Sequence, residues 1–179
     1  MAVSSCSCVI PVLRTKRLTL SQHEAADLDP AAAMWSDPAI VRYIGARPFS
    51  REEVWHRILR YIGHWNLLGF GYWAIRDGTT GQFIGEIGFA DWRREAFPNL
   101  HGLSECGWVL ATAAQGFGYA AEALQAVLAW SDHVQLGRTI CLIDEANVCS
   151  IRLAMRFGYT INEENTKKRS NIMIFDRTP

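Results

Sequence analysis

The sequence predicts one mixed α/β domain, and three observations carry that reading. The segments run strand, two helices, three strands, helix, strand, helix, two strands. At the centre, strand-like CGWVL (106–110) leads through AAQGFGYAAEAL (113–124) into an Ala/Leu-rich run that reaches Val134. The 179 residues are the length of about one domain, and no internal repeat, low-complexity tract or linker divides them.

Each element has its own signal. Residues 13–22 (LRTKRLTLSQ) alternate loosely and predict a first strand. Residues 30–35 and 51–65 predict helices. In the second, Val54, Ile58, Leu59, Tyr61 and Ile62 recur at helical spacing behind Ser50 as N-cap, with Glu53 three residues on. Residues 70–76 and 82–89 flank DGTTG, where Asp77-Gly78 and Gly81 mark a hairpin turn. Residues 104–110 predict the next strand. Residues 115 to about 134 predict a helix with Leu124, Val127, Leu128 and Ser131 as its inward stripe. Residues 139–143 (TICLI) predict a short buried strand, and 147–157 a helix stopped by Gly158. Residues 159–161 and 171–175 predict a last hairpin.

Composition excludes several classes. Apolar residues make up 49% and charged residues 20%, as in a soluble globule that buries a real core. Lys+Arg and Asp+Glu are 18 each, so net charge argues against a nucleic-acid surface or a membrane-surface helix. No apolar stretch approaches the ~20 residues of a bilayer span, and MAVSSCSCVIPVLR has no secretory pattern. Five scattered cysteines (Cys6, Cys8, Cys106, Cys141, Cys149) make a poor disulfide framework and point to a reducing, cytoplasmic compartment. Cys6-x-Cys8 has no second pair at metal-site spacing and reads as part of a flexible tail over residues 1–12, so no metal is expected. His23, His56, His64, His101 and His133 show no paired spacing for a metal or a triad.

The central loop carries the chemistry. A helix start presents unpaired N–H groups and the positive end of the macrodipole, and glycines let a phosphate approach them. Gly116 and Gly118 remove blocking side chains, and Ala120 keeps the next turn small. No Lys-Ser/Thr follows the glycines, so this is not a P-loop. The dinucleotide pattern with its distal acid is also missing. A plain turn into a helix is the bland alternative.

Three stretches in one order resemble the GNAT (Gcn5-related N-acetyltransferase) superfamily. Gln115-Gly-Phe-Gly-Tyr-Ala120 is similar to its pyrophosphate motif Q/R-x-x-G-x-G/A. Asn147-x-x-Ser150 followed by Gly158-Tyr159 is similar to its N-x-x-S…G-F/Y helix, and Glu105-Cys-Gly-Trp108 to its E-x-G-Y/W strand. LRTKRLTL looks like the opening strand of its RimJ/RimL-like ribosomal-protein N-terminal acetyltransferase branch. The resemblance runs from about Leu13 and implies a single domain over 13–179. It implies a mixed, mostly antiparallel sheet flanked by about four helices, with splayed strands forming an acyl-CoA cleft.

The resemblance also implies a donor, acetyl-CoA, and a primary-amine acceptor, either a protein N-terminus or a small molecule. The donor's pyrophosphate would lie on the N–H groups of Gln115, Gly116, Phe117, Gly118, Tyr119 and Ala120. Its pantetheine arm would run along Trp108, Val109 and Leu110, with Asn147 and Ser150 facing arm and sulfur. Glu105 is the first candidate base, acting through a water, and Glu86 the second; either carboxylate could instead satisfy a backbone or Arg partner. The N–H near Val109 would hold the oxyanion. Where many members carry a Tyr that protonates the thiolate, this chain has Ala154, which leaves Ser150 or a water. Tyr119 reads as a packing residue.

Trp35, Trp65 and Trp92 fall on segments that line the acceptor side in this family, and His101 falls near the cleft. Cys149, at a helix start, reads as a small apolar filler rather than an acyl carrier, because direct transfer needs no nucleophile. A homodimer is a common outcome in the family. Two rival readings remain: a catalytically silent CoA-binding sensor or interaction module, motivated by Ala154, and a regulatory domain that binds ATP or NAD on the same loop.

Overall fold

The structure, a computed structural model, describes residues 9–45, 47–163 and 171–179. Cys6 and Cys8 lie outside the described residues, as do the first eight positions of the expected tail. The end of that tail is corrected. Ile10 is buried in the core, and the Pro11 carbonyl accepts from Trp73 Nε1 at 2.7 Å, so apolar burial and a hydrogen bond hold it.

The single strand expected over 13–22 is two. β1 (Leu13–Arg14) and β2 (Leu18–Ser21) form a hairpin, Leu13 opposite Leu20, closed by Thr15 N–H on the Leu18 carbonyl. Three helices follow: α1 (Leu28–Trp35), the short α2 (Pro38–Val41), absent from the sequence reading, and α3 (Arg51–Leu68). The α3 capping box is present. Ser50 Oγ accepts from Glu53 N–H at 3.2 Å, and Glu53 Oε2 accepts from Ser50 N–H at 2.8 Å. Val54, Ile58 and Tyr61 are buried as expected, whereas Leu59 is exposed because it falls off that stripe. The helix runs past Trp65 to a left-handed Gly69 (φ 75°).

β3 (Tyr72–Asp77) and β4 (Phe83–Ala90) flank the expected turn, where Asp77 Oδ1 accepts from the N–H groups of Thr79 and Thr80. β5 (Ser104–Leu110) leads to α4 (Tyr119–His133), then β6 (Thr139–Asp144), α5 (Val148–Arg156), β7 (Thr160–Ile161) and β8 (Ile172–Arg177). α4 starts at Tyr119, not Gln115. Gly116 and Gly118 take φ of 83° and 79°, outside the right-handed helical region, so the helix cannot form through them.

The strands make one sheet in the order β1-β2-β3-β4-β5-β6-β8-β7, antiparallel except where β5 meets β6. This is a mixed, mostly antiparallel α/β fold, with eight strands and five helices among the described residues. The helix count expected was about four; the extra one is the four-residue α2. Leu124, Val127, Leu128 and Ser131 of α4 are all buried. Trp73 stands at the centre of an edge-to-face cluster, 4.6 Å from Trp65 and 5.0 Å from Trp130 by ring centroid. A second apolar cluster joins α1, α2 and α3 to Val109.

Candidate functional site

One break in strand pairing sets the site. β5 and β6 pair only at Ser104↔Thr139 and Glu105↔Ile140. Beyond that point β5 follows β4 out to Leu110, and β6 follows β8 out to Asp144. Sheet twist carries the two apart, so the β5 edge after Glu105 has no strand partner among the described residues. A cavity of about 390 Å³ opens there.

Glu105, Cys106, Gly107, Trp108 and Val109 line one wall, and Cys141 to Asp144 with Asn147 and Ser150 line the other. Tyr43, Phe49, Arg57, Arg60, Tyr72, Trp92 and Arg94 close one side. Gly107 is required by close approach: a Cβ there would lie 2.2 Å from the Tyr72 hydroxyl oxygen. Burial pushes the Tyr72 phenol well above its ordinary range, with neighbouring Glu105 adding to the shift, so it stays a hydrogen-bond donor.

The structure brings Glu105, Trp108, Val109, Asn147, Ser150 and Trp92 together around this cavity. Leu110 is buried just beyond it, and its carbonyl accepts from Gln115 Nε2 at 3.0 Å, tying strand end to turn. The Gln115–Ala120 segment lies past the cavity at the head of α4. A Cβ on Gly116 would meet nothing within 4 Å, and on Gly118 only an Arg17 Nη2 at 3.7 Å. Phe117 is exposed. Tyr119 packs, as expected, with the Arg17 guanidinium 4.6 Å from its ring centre.

Arg17 is a cation the sequence reading missed at this turn. Its Nη1 donates to the Phe117 carbonyl at 2.9 Å, and its Nε to Glu122 Oε2 at 2.7 Å. Burial alone would raise the Glu122 carboxyl. Donation from Thr15 and Arg17 outweighs it and holds the carboxyl below its ordinary range.

At the head of α5, Asn147 Oδ1 caps the helix by accepting from Ser150 N–H at 3.2 Å. Cys149 is exposed, which corrects the expectation of a packed filler; at the second position of α5 it faces outward. Ala154 is fully buried in the main core and does not line the cavity.

Both candidate carboxylates have partners. Glu105 forms a two-point pair with Arg94, at 2.7 and 2.9 Å. Glu86 is buried and accepts from Trp35 Nε1 at 3.1 Å and from the Tyr61 hydroxyl, with Arg57 Nε 3.5 Å away. Arg57 also donates to the Tyr61 hydroxyl at 2.7 Å. Burial would lower the Arg57 pKa, but the facing Tyr61 and Glu86 outweigh it and keep it charged.

Three acceptor-side candidates do not line the cavity. Trp35 is fully buried beneath the cavity, because its indole N–H turns inward to Glu86. Trp65 packs in the tryptophan cluster. His101 is exposed and props the Arg94 carbonyl (Nε2 to O, 3.0 Å) instead of lining the cavity. The sequence reading also missed Arg57, Arg60, Arg94 and Tyr72. The i, i+3 spacing of Arg57 and Arg60 puts them on one helix face, but not against any named neighbour. No cluster of metal-ligating side chains occurs among the described residues, and no helix there is long and apolar enough to cross a membrane.

Comparison with known proteins agrees with this fold. The acetyltransferase (GNAT) domain profile matches residues 17–160. The uncharacterized N-acetyltransferase p20 of Bacillus licheniformis is 29% identical over 143 residues, covering 79% of this chain and 78% of the relative. A GNAT-family acetyltransferase from Bordetella pertussis superposes with a TM-score of 0.81 at 31% identity, over 94% of this chain and 100% of that one. RimL, a ribosomal alpha-N-protein acetyltransferase solved with coenzyme A, shares the fold at 15% identity. Its TM-score is 0.73, over 94% of this chain and 98% of that one.

Proposed function

The chain belongs to the GNAT acetyltransferase family, and from that premise we propose that it moves an acetyl group from acetyl-CoA to a primary amine by direct attack in a ternary complex. The observation that carries this reading is the divergence of β5 and β6 after Glu105↔Ile140. It leaves a strand edge free beside an open glycine turn. A long polyanion with an amide-rich arm needs both features: N–H donors at one end and a pairable edge at the other.

In this reading the turn at Gln115–Ala120 holds the pyrophosphate, with Arg17 adding charge. Trp108, Val109 and Leu110 pair with the arm, and the free Nδ2 of Asn147 is available to its carbonyls. The donor supplies an activated acyl group, and the chain's own residues do the rest. The incoming ammonium must lose a proton. Glu105 takes it through a water while Arg94 keeps the carboxylate oriented. The N–H near Val109 holds the oxyanion. Ser150 or a water protonates the leaving thiolate, and Tyr72 brings a second hydroxyl to the cavity. Glu86, whose Oε1 already accepts from Trp35 and Tyr61, serves to position Arg57 and Tyr61. The unpaired thiols of Cys106, Cys141 and Cys149 support a reducing, cytoplasmic setting.

The silent-binder reading draws on Ala154, which leaves the usual acid position without a hydroxyl. One experiment separates the two. Acetyl-CoA binding is measured by calorimetry on the wild type, Gly118→Ala and Gly118→Glu, followed by turnover on an amine panel. The alanine variant isolates the strain at φ 79°, and the glutamate adds bulk and negative charge at the turn. The proposal expects wild-type binding, a much larger loss for Gly118→Glu than for Gly118→Ala, and turnover. Binding without turnover on any amine favours the silent module. No acyl-CoA binding at all removes the function.

A further inference from the structure

We infer that the acceptor is a small amine bearing a carboxylate, of the amino-acid type, and that Arg60 at the cavity mouth holds that carboxylate. The inference deepens the acetyltransferase reading and rests on it for the word acceptor.

The argument is one of charge balance around a single cavity. Three arginines line it: Arg57, Arg60 and Arg94. Two of them are matched. Arg94 is paired at both nitrogens with Glu105, and Arg57 sits on Tyr61 and the buried Glu86. The Arg60 side chain has neither a carboxylate nor a hydrogen-bond partner among the described residues. Of the groups that act on it, the cations Arg57 and Arg94 repel, and only the Tyr61 phenol opposes them. Its pKa is lowered, first by burial and then by Arg57, with Arg94 adding to the lowering and Tyr61 opposing it.

Arg60 is exposed at the cavity mouth, with its guanidinium 5.1 Å from the centre of the Trp92 ring. The same ring also has Arg57 at 5.7 Å and Arg94 at 5.8 Å. The buried Trp92 Nε1 has no acceptor either. Glu105 and Glu86 answer two of the three cations on this indole, which leaves the charge of Arg60 unanswered. A bound carboxylate supplies the missing anion, and guanidinium matches carboxylate geometry at two points.

The remaining wall here, Phe49 and Trp92, suits an apolar side chain. A polyamine or other polycation would instead meet the unmatched Arg60 beside Trp92, while the cavity's other carboxylate, Asp144, lies on the opposite wall. The chemistry therefore selects a free α-amino acid with an apolar side chain over a cationic acceptor.

The test uses the full chain. The CoA-loaded protein is titrated calorimetrically with leucine, methionine and phenylalanine, each against its own carboxamide, and with spermidine and a neutral-capped tripeptide. Acetyl transfer from acetyl-CoA is followed on the same set. The acids are expected to be preferred by roughly tenfold or more in Kd, or in kcat/KM where transfer occurs. Arg60→Gln should abolish the preference by raising KM for the acid alone, and Arg60→Lys should keep part of it. Acetyl-CoA affinity should be unchanged in both. Equal binding of acid and amide, binding of neither, a preference for spermidine or the tripeptide, or a preference that survives Arg60→Gln overturns the inference. Failure of acetyl transfer with the acid preference intact would sink the enzymatic reading alone, because the calorimetry needs no reaction.

Discussion

The carboxylate of Glu105 meets the guanidinium of Arg94 at two points, Oε1 to Nη2 at 2.7 Å and Oε2 to Nε at 2.9 Å. Both residues line the cavity where β5 leaves β6. The pair fixes Glu105 in direction, but it also occupies both oxygens. Proton removal through a bridging water suits that arrangement better than direct contact with the amine.

Glu105→Gln is therefore expected to lower kcat by about 10²- to 10⁴-fold, the usual reach of general-base catalysis. Acetyl-CoA affinity should not change. Steady-state kinetics with calorimetry on the same sample checks this. A variant that keeps full kcat would reduce Glu105 to a partner for Arg94.

Glu86 should answer differently. Removing it leaves Arg57 charged and largely buried, with the Trp35 indole N–H also unpaired. Glu86→Ala is expected to cost about 3–5 kcal/mol of folding stability. Denaturant unfolding measures it, and a loss of activity with unchanged stability would return Glu86 to the list of bases.

His23 sets a pH limit. It is buried, stacked on Tyr61 at 5.1 Å, and neither ring nitrogen has a hydrogen-bond partner. Burial lowers its pKa, only partly opposed by Glu86 and Asp27, while Arg76 adds to the lowering. The folded state thus binds its proton less readily than the unfolded chain. Stability is full above the ordinary 6.5 and falls as pH drops below it. His23→Phe should remove that leg from a Tm-against-pH curve, whereas an unchanged curve would assign the acid limb to carboxylates.

The thiols should separate by burial. Burial pushes the Cys106 thiol up to about 12 and Cys141 well above its ordinary value, whereas Cys149 is exposed. Iodoacetamide near pH 8 is expected to label Cys149 and spare the other two, read by peptide mass spectrometry. Cys149→Ser should retain turnover; loss of turnover would revive an acyl-cysteine route.

Arg17 should matter to the donor. It lies beside the glycine turn and is anchored by Glu122. Arg17→Ala is expected to weaken acetyl-CoA binding several-fold, with a smaller effect in high salt. An unchanged affinity at low salt would make the pair a staple of the β1–β2 hairpin only.

Much of this molecule was legible from local signals. The Ser50–Glu53 capping box, the Asp77–Gly81 turn and the α4 stripe through Leu124 and Val127 each depend on neighbours within a few positions. Such patterns survive into the fold because the same short-range forces act in both settings. Errors were local too. Residues 13–22 alternate well enough for one strand, yet Thr15 caps a turn by accepting from Leu18 N–H at 2.9 Å. The tryptophans misled for a different reason: an indole suits a core and a pocket equally, so Trp35 and Trp92 could not be told apart before packing was known.

The sequence by itself determined most of the elements, the glycine loop before α4, and the ordered motifs that mark the family; the split of residues 13–22, the short α2 and the start of α4 at Tyr119 were decided by the structure. Only the tertiary structure decided that β5 and β6 part after Glu105, that Arg17 reaches Phe117 across 100 positions, and that Arg57, Arg60 and Arg94 gather on Trp92. The reason is range. Helix, turn and cap preferences are energies between near neighbours, whereas the pairing of charges depends on which distant surfaces the buried core presses together.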